Sequence, residues 1–136
     1  MSDFKVIYKG NFSTEMTHLE SGQKVITDAP KDNQGLGRTF SPTDLIASSL
    51  ASCMITIIAI AAKTSNIVID KIDSSVKKTM SNTLPRKISK IDIILSLEGC
   101  FDDKSKLIIE RSAKNCPVHH SLSRDLIVNL KIDYKD

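Results

Sequence analysis

Two cysteines stand where a thiol could do chemistry. Cys116 immediately precedes Pro117, a residue suited to the first position of a short helix. A sulfur there would face unpaired backbone N–H groups and the positive end of a helix dipole. That setting lowers a thiol pKa. His119 follows three residues on, and as an imidazolium it would add to the effect. The competing reading makes Cys116 a simple cap, with His119 and His120 exposed. Cys53 lies inside the apolar run Leu50-Ala51-Ser52-Cys53-Met54-Ile55. By itself it reads as a small buried hydrophobe. To act as a nucleophile it would need a cation or a hydrogen-bond donor close by.

Arg38 and Asp44 flank the start of that run. As a surface ion pair they would contribute little. As a functional pair, the planar guanidinium would stabilise a thiolate and polarise a peroxide oxygen, held in place by the carboxylate. Cys100 follows Gly99 with nothing basic near it in sequence, and is read as structural. Cys116, His119 and His120 make a Cys-x-x-His-His string. A zinc site needs three or four converging ligands, so no metal is expected. A Cys–His hydrolase using Cys116 and His119 is a further option, without a Gly-rich nucleophile elbow to support it.

The elements that must position these residues are legible. Phe4 to Lys9 alternate as a strand, and Gly10-Asn11 marks a turn. Phe12–Leu19 and Lys24–Asp28 follow as short strands, then a polar loop from Ala29 to Gly37. Ser41 is placed to cap a helix, with Pro42 at its first position and Asp44 closing a capping box. The helix runs to about Lys63. From Leu45 to Ala62 it carries no charge, a length that could span a bilayer. Ser48, Ser49, Ser52 and Thr56 interrupt it and no aromatic belt flanks it, so a helix buried on nearly every side of a soluble protein is expected. Two strands follow, from Ile67 through Val76 and from Ile91 to Leu97, joined at Thr83-Leu84-Pro85-Arg86 as an antiparallel hairpin. Asp102 to Lys114 form a second helix, Cys116 to Ser123 a helical turn, and Leu126 to Tyr134 the last strand. The order predicts an α+β fold in one domain over residues 1–136, built from antiparallel sheets around the Cys-bearing helix. So long an apolar helix needs cover on several sides, which suggests a homodimer.

Composition narrows the partners. The 136 residues are 40% hydrophobic and 26% charged, as in ordinary globular chains. The net charge of +3 is spread out, and aromatics are only 4%. Neither a basic cluster nor stacking residues are supplied, so nucleic-acid binding is not expected. Met1-Ser2-Asp3-Phe4-Lys5 lacks the order of a signal peptide. A cytoplasmic, reducing setting is therefore expected, where three cysteines do not form a disulfide framework.

The segment from Ser41 to Cys53, Ser-Pro-Thr-Asp-Leu-Ile-Ala-Ser-Ser-Leu-Ala-Ser-Cys, resembles the helix motif of the OsmC/Ohr superfamily. Cys116-Pro117-Val118-His119 resembles its second motif, in the expected order. The resemblance covers almost the whole chain. It implies an intertwined homodimer with long central helices wrapped by swapped sheets. It also implies a thiol peroxidase with no cofactor, in which Cys53 attacks a hydroperoxide and Cys116 resolves the sulfenic acid. A dithiol reductant, of the lipoyl type among the options, would reopen the disulfide. A non-enzymatic member that binds a small ligand or senses redox state is the alternative. Two departures stand out. The organic-hydroperoxide branch has an Arg in its N-terminal hairpin, whereas residues 9–27 hold only Lys9 and Lys24 as Lys or Arg. That branch also has a Glu where this chain has Thr43. The chain looks more like the less characterised OsmC-like branch, and Arg38 and Asp44 are candidates by chemical role.

Overall fold

A computed structural model describes residues 1–135. The chain forms two compact units, Met1–Ile46 and Ala47 onward. The first holds β1 (Phe4–Gly10), β2 (Ser13–His18) and β3 (Lys24–Asp28), a single 3₁₀ turn at Lys31–Asn33, and the first turn of α1 (Pro42–Thr64). The second holds the rest of α1, then β4 (Ile69–Met80), β5 (Ile88–Gly99), α2 (Asp103–Lys114), α3 (Pro117–Ser121) and β6 (Ile127–Lys135).

In the first unit the strands form an antiparallel sheet in the order β1-β2-β3. The turn signal at Gly10-Asn11 marks the hairpin. Asn11 and Phe12 take left-handed φ values of 53° and 60°, the mirror-image turn that matches strand twist. Little of this sheet is buried: Ser13, Thr27 and Asp28 are, but Phe4, Val6, Tyr8, Val25 and Ile26 are exposed. The loop after β3 closes on itself. Gly35 packs so tightly that a Cβ would lie 1.7 Å from the Ala29 carbonyl oxygen, so only glycine fits there.

The start of α1 forms as its residue types dictate. The Ser41 backbone N–H donates to Asp44 Oδ2 at 2.9 Å, and the Asp44 N–H donates to Ser41 Oγ at 3.1 Å. These are the two reciprocal bonds of a capping box.

In the second unit the sheet order is β4-β5-β6. Ile91, Ile93, Leu95 and Leu97 of β5 are each 0–1% exposed. Strand periodicity puts all four on one face. Register extends that face across the sheet, pairing Val76, Ile93 and Leu130 in one row and Ile72, Leu97 and Tyr134 in another. The opposite face carries polar rows such as Lys77, Asp92 and Asn129. Leu50, Met54 and Ile58 of α1 and Ile109 and Ala113 of α2 join the same core cluster.

Two expectations need correction. The second sheet is mixed, because β6 pairs with β5 in parallel. The chain crosses the sheet through α2 and α3 before re-entering it, and such a crossover returns a strand in its original direction. The second concerns α1, which is long and apolar enough to cross a membrane by length and composition alone. Within one chain it buries only the stripe Ala47, Leu50, Ala51, Met54, Ile58 and Ala62. Ile46 and Ile60 are exposed, so the helix is amphipathic in its packing rather than buried on nearly every side.

Candidate active site

Cys53 and Cys116, 63 residues apart in sequence, meet in space. Cys53 is on α1 and packs, half-buried, against the core cluster. Cys116 is the N-cap of α3 and is 0% exposed. Asn115 ends α2 and Pro117 begins α3, so the sulfur is set at a junction that two helices define. The thiols are close enough for Cys53 to influence the Cys116 sulfur, and no bond joins them covalently.

The Cys116 thiol is pushed above its ordinary value of 9.0. Burial is the largest cause, and the neighbouring Cys53 thiol is the next. The backbone N–H groups of His119 and Val118 act the other way, as a helix start should. They lose because neither completes a side-chain capping bond, and because burial penalises the thiolate. The expectation that Cys116 is the activated thiol is therefore reversed. His119 acts on the sulfur through its main chain, while the His120 ring pairs with Asn115 Oδ1 at 2.9 Å.

In the first unit Arg38 is held by Asp28, not by Asp44. Its Nε donates to Asp28 Oδ2 at 2.8 Å, its Nη2 to Oδ1 at 3.0 Å and its backbone N–H to Oδ2 at 2.9 Å. Asp28 is 2% exposed, whereas the Arg38 side chain is 59% exposed. The guanidinium holds the Asp28 carboxyl down at about 2. Asp44 instead caps α1 from its first turn. The pairing of Arg38 with Asp44 was inferred from their nearness in sequence, but a carboxylate engaged by the capping box has its direction set by the helix start. Sequence reasoning missed Asp28. It ends a short strand before a polar loop, and an acid in that place reads as a solvated turn residue. The one available signal was an Arg at the far end of the same loop.

Cys100 is exposed rather than built into the core, and lines an open pocket of about 620 Å³ with Val68, Phe101 and Asp102. Among the described residues no three of His, Cys, Asp and Glu converge to hold a metal.

The model of the OsmC-like protein family matches residues 34–131, a span that holds Cys53 and Cys116. This chain belongs to the OsmC-like family. The OsmC-like chain is 43% identical to a protein from Psychrobacter arcticus 273-4 whose name links it to osmotic stress induction and a detoxification response. That match covers 97% of this chain and 96% of the other, with a TM-score of 0.91. An OsmC-like protein from Mycoplasma pneumoniae shares the fold at TM-score 0.83 and 19% identity, over 100% and 98% of the two chains. An organic hydroperoxide resistance protein OsmC from Legionella pneumophila does so at 0.73 and 17%, over 96% and 94%. Among curated protein sequences none matches this OsmC-like chain.

Proposed function

We propose that this OsmC-like protein is a thiol peroxidase that reduces organic hydroperoxides. The adjacency of Cys53 and Cys116, one half-buried and the other fully buried, carries the reading. The Cys53 sulfur attacks the peroxide oxygen as a thiolate. The O–O bond breaks, Cys53 becomes a sulfenic acid, and the alkoxide takes up a proton and leaves as the alcohol. The Cys116 thiol then displaces water from the sulfenic acid and closes a disulfide. A dithiol reductant, such as a lipoyl group, reopens it by two exchange steps and is itself oxidised to the disulfide. No metal or organic cofactor takes part.

The division of labour follows from burial. A peroxide reaches a half-buried sulfur more readily than one with no exposed surface. A buried thiol with a raised pKa keeps its proton until a sulfenic acid forms beside it. Arg38 is the cation proposed to neutralise charge on the leaving oxygen, and its exposed guanidinium suits that role. Asp44 serves by capping the helix that carries Cys53.

We further propose that the working form is a homodimer. The sheet β1-β2-β3 leaves Phe4, Val6, Tyr8, Val25 and Ile26 exposed, and α1 leaves Ile46 and Ile60. A small sheet with so little burial needs cover, and a second copy supplies it. Cytoplasmic reducing conditions would keep both thiols ready.

The test is consumption of cumene hydroperoxide with dihydrolipoamide as reductant. Cys53→Ser should abolish turnover. Cys116→Ser should allow one round of oxidation and then stall as a sulfenic or over-oxidised Cys53. Equal turnover by Cys53→Ser would exclude the reading, and a monomer by light scattering would exclude the dimer.

A further inference from the structure

We propose that the β4–β5 hairpin is a docking surface for an anionic lipid bilayer, with Leu84 as its apolar tip and lysine and arginine side chains around it. This stands apart from the peroxidase reading and uses none of its residues. Charge is unevenly placed along the chain. Residues 77–90 hold Lys77, Lys78, Arg86, Lys87 and Lys90. Of the chain's 19 Lys and Arg, five fall in this stretch, and none of its 16 Asp and Glu does. The rest of the chain is therefore net acidic. In sequence the five stand as two pairs and a single lysine, separated by neutral residues. Antiparallel pairing brings them to one end of the sheet. Lys77 lies opposite Asp92 on the polar face, Lys78 opposite buried Ile91, and Thr79 opposite Lys90. Neighbouring strand positions point to opposite faces, so the cations surround the hairpin instead of lining one side.

Two acids are near. Asp125 lies 3.9 Å from the Lys87 ammonium and Asp92 lies 3.7 Å from that of Lys90. The Lys87 and Asp125 side chains are 55% and 81% exposed, and such pairs are weak. Counting Arg124 next to Asp125, this end of the sheet has six cations against two acids. Leu84 projects from it, 91% exposed, on a loop that Ser81 braces. The Ser81 N–H donates to the Lys87 carbonyl at 2.8 Å. Its hydroxyl donates to the Thr83 carbonyl at 3.0 Å and accepts the Lys87 N–H at 3.0 Å. A lone exposed leucine needs no explanation. A leucine held out among cations matches a bilayer surface, with phosphate charge outside and hydrocarbon beneath. Stable attachment takes two such signals, apolar and basic. Nucleic acid fits less well. Residues 77–90 hold no aromatic side chain for base stacking, and Leu84 would gain nothing against phosphates.

The experiment measures co-sedimentation of the full chain with vesicles of phosphatidylcholine alone and of phosphatidylcholine mixed with phosphatidylglycerol. Binding to a DNA oligonucleotide is measured beside them. The mixed vesicles should bind the protein and the neutral ones should not. Raising salt from about 0.05 M to about 0.5 M should release it, because surface charges are then screened. The double variant Lys77→Gln, Lys87→Gln should bind about 10- to 30-fold more weakly, the loss expected for two cations near an anionic surface. Leu84→Ser should bind several-fold more weakly with the salt dependence kept. All three positions are exposed, so both variants should melt as the parent does. No binding of the parent to mixed vesicles overturns the proposal, and so does equal binding to both vesicle types. Parent-like binding by the double variant places the contact elsewhere and overturns it. Should that variant fail to fold, Lys87→Glu replaces it, and parent-like binding there overturns the proposal instead. Parent-like binding by Leu84→Ser, or tighter binding to DNA than to mixed vesicles, leaves a general polyanion site and overturns lipid docking.

Discussion

The fully buried thiol of Cys116 lies beside the half-buried thiol of Cys53, and burial together with that neighbour raises the Cys116 pKa. The cysteine that heads a helix is therefore buried and holds its proton more tightly than a free thiol. The short α3 supplies two favourable N–H groups, from Val118 and His119, but they are outweighed.

Thiol labelling should report this order directly. Iodoacetamide at pH 8 should modify exposed Cys100 first and buried Cys116 last. Peptide mass spectrometry against time reads the order. Cys116 labelled as fast as Cys100 would contradict its burial.

The same shift gives alkaline instability. The folded Cys116 pKa lies above its unfolded value near 9.0, so the unfolded chain loses this proton first. Below about pH 9 both states keep it and the contribution is whole. As pH rises from there through the folded value, stability should fall. Urea unfolding at a series of alkaline pH values should show a shallower decline in Cys116→Ala than in the parent.

Asp28 acts at the other end of the scale. Its folded pKa of about 2 lies below the ordinary 3.8. Its contribution is present above about pH 4 and should be lost as pH falls from there to about 2. Asp28→Asn should lack that acid-dependent part. Melting curves between pH 5 and pH 2 would show it as a flatter profile.

Ser41 is fully buried at the head of α1 and forms half of the capping box. Ser41→Ala should cost about 1 kcal/mol of stability, as loss of an N-cap does. Chemical denaturation measures this, and no change would mean that another group satisfies the Asp44 N–H.

Leu50 and Ile58 of α1 are each 0% exposed in the core cluster shared with β5 and α2. Truncating either to Ala should cost about 2–5 kcal/mol through lost contacts and the cavity left behind. Ile60→Ala on the exposed side of α1 should leave the folding of a lone chain nearly unchanged. In the proposed homodimer it should weaken association, which light scattering over a dilution series would detect.

What the sequence determined by itself is local in its physics. The alternation of Ile91, Ile93, Leu95 and Leu97 set a strand with one buried face, and the observed burial follows it. Ser41, Pro42 and Asp44 located the start of α1, because a capping box needs only residues three apart. The two cysteine motifs likewise sufficed for the family. The tertiary structure decided what depends on distant partners. Strand alternation says nothing about direction, so the parallel β5–β6 pairing appears only once α2 and α3 have crossed the sheet. Charge and spacing offered Arg38 only Asp44. The carboxylate that folding turned towards it is Asp28, ten residues earlier at the end of β3. The pKa of Cys116 followed the same rule. Its helix-start position could be read from Pro117, but the desolvation and the second sulfur that reverse its shift exist only in the packed core.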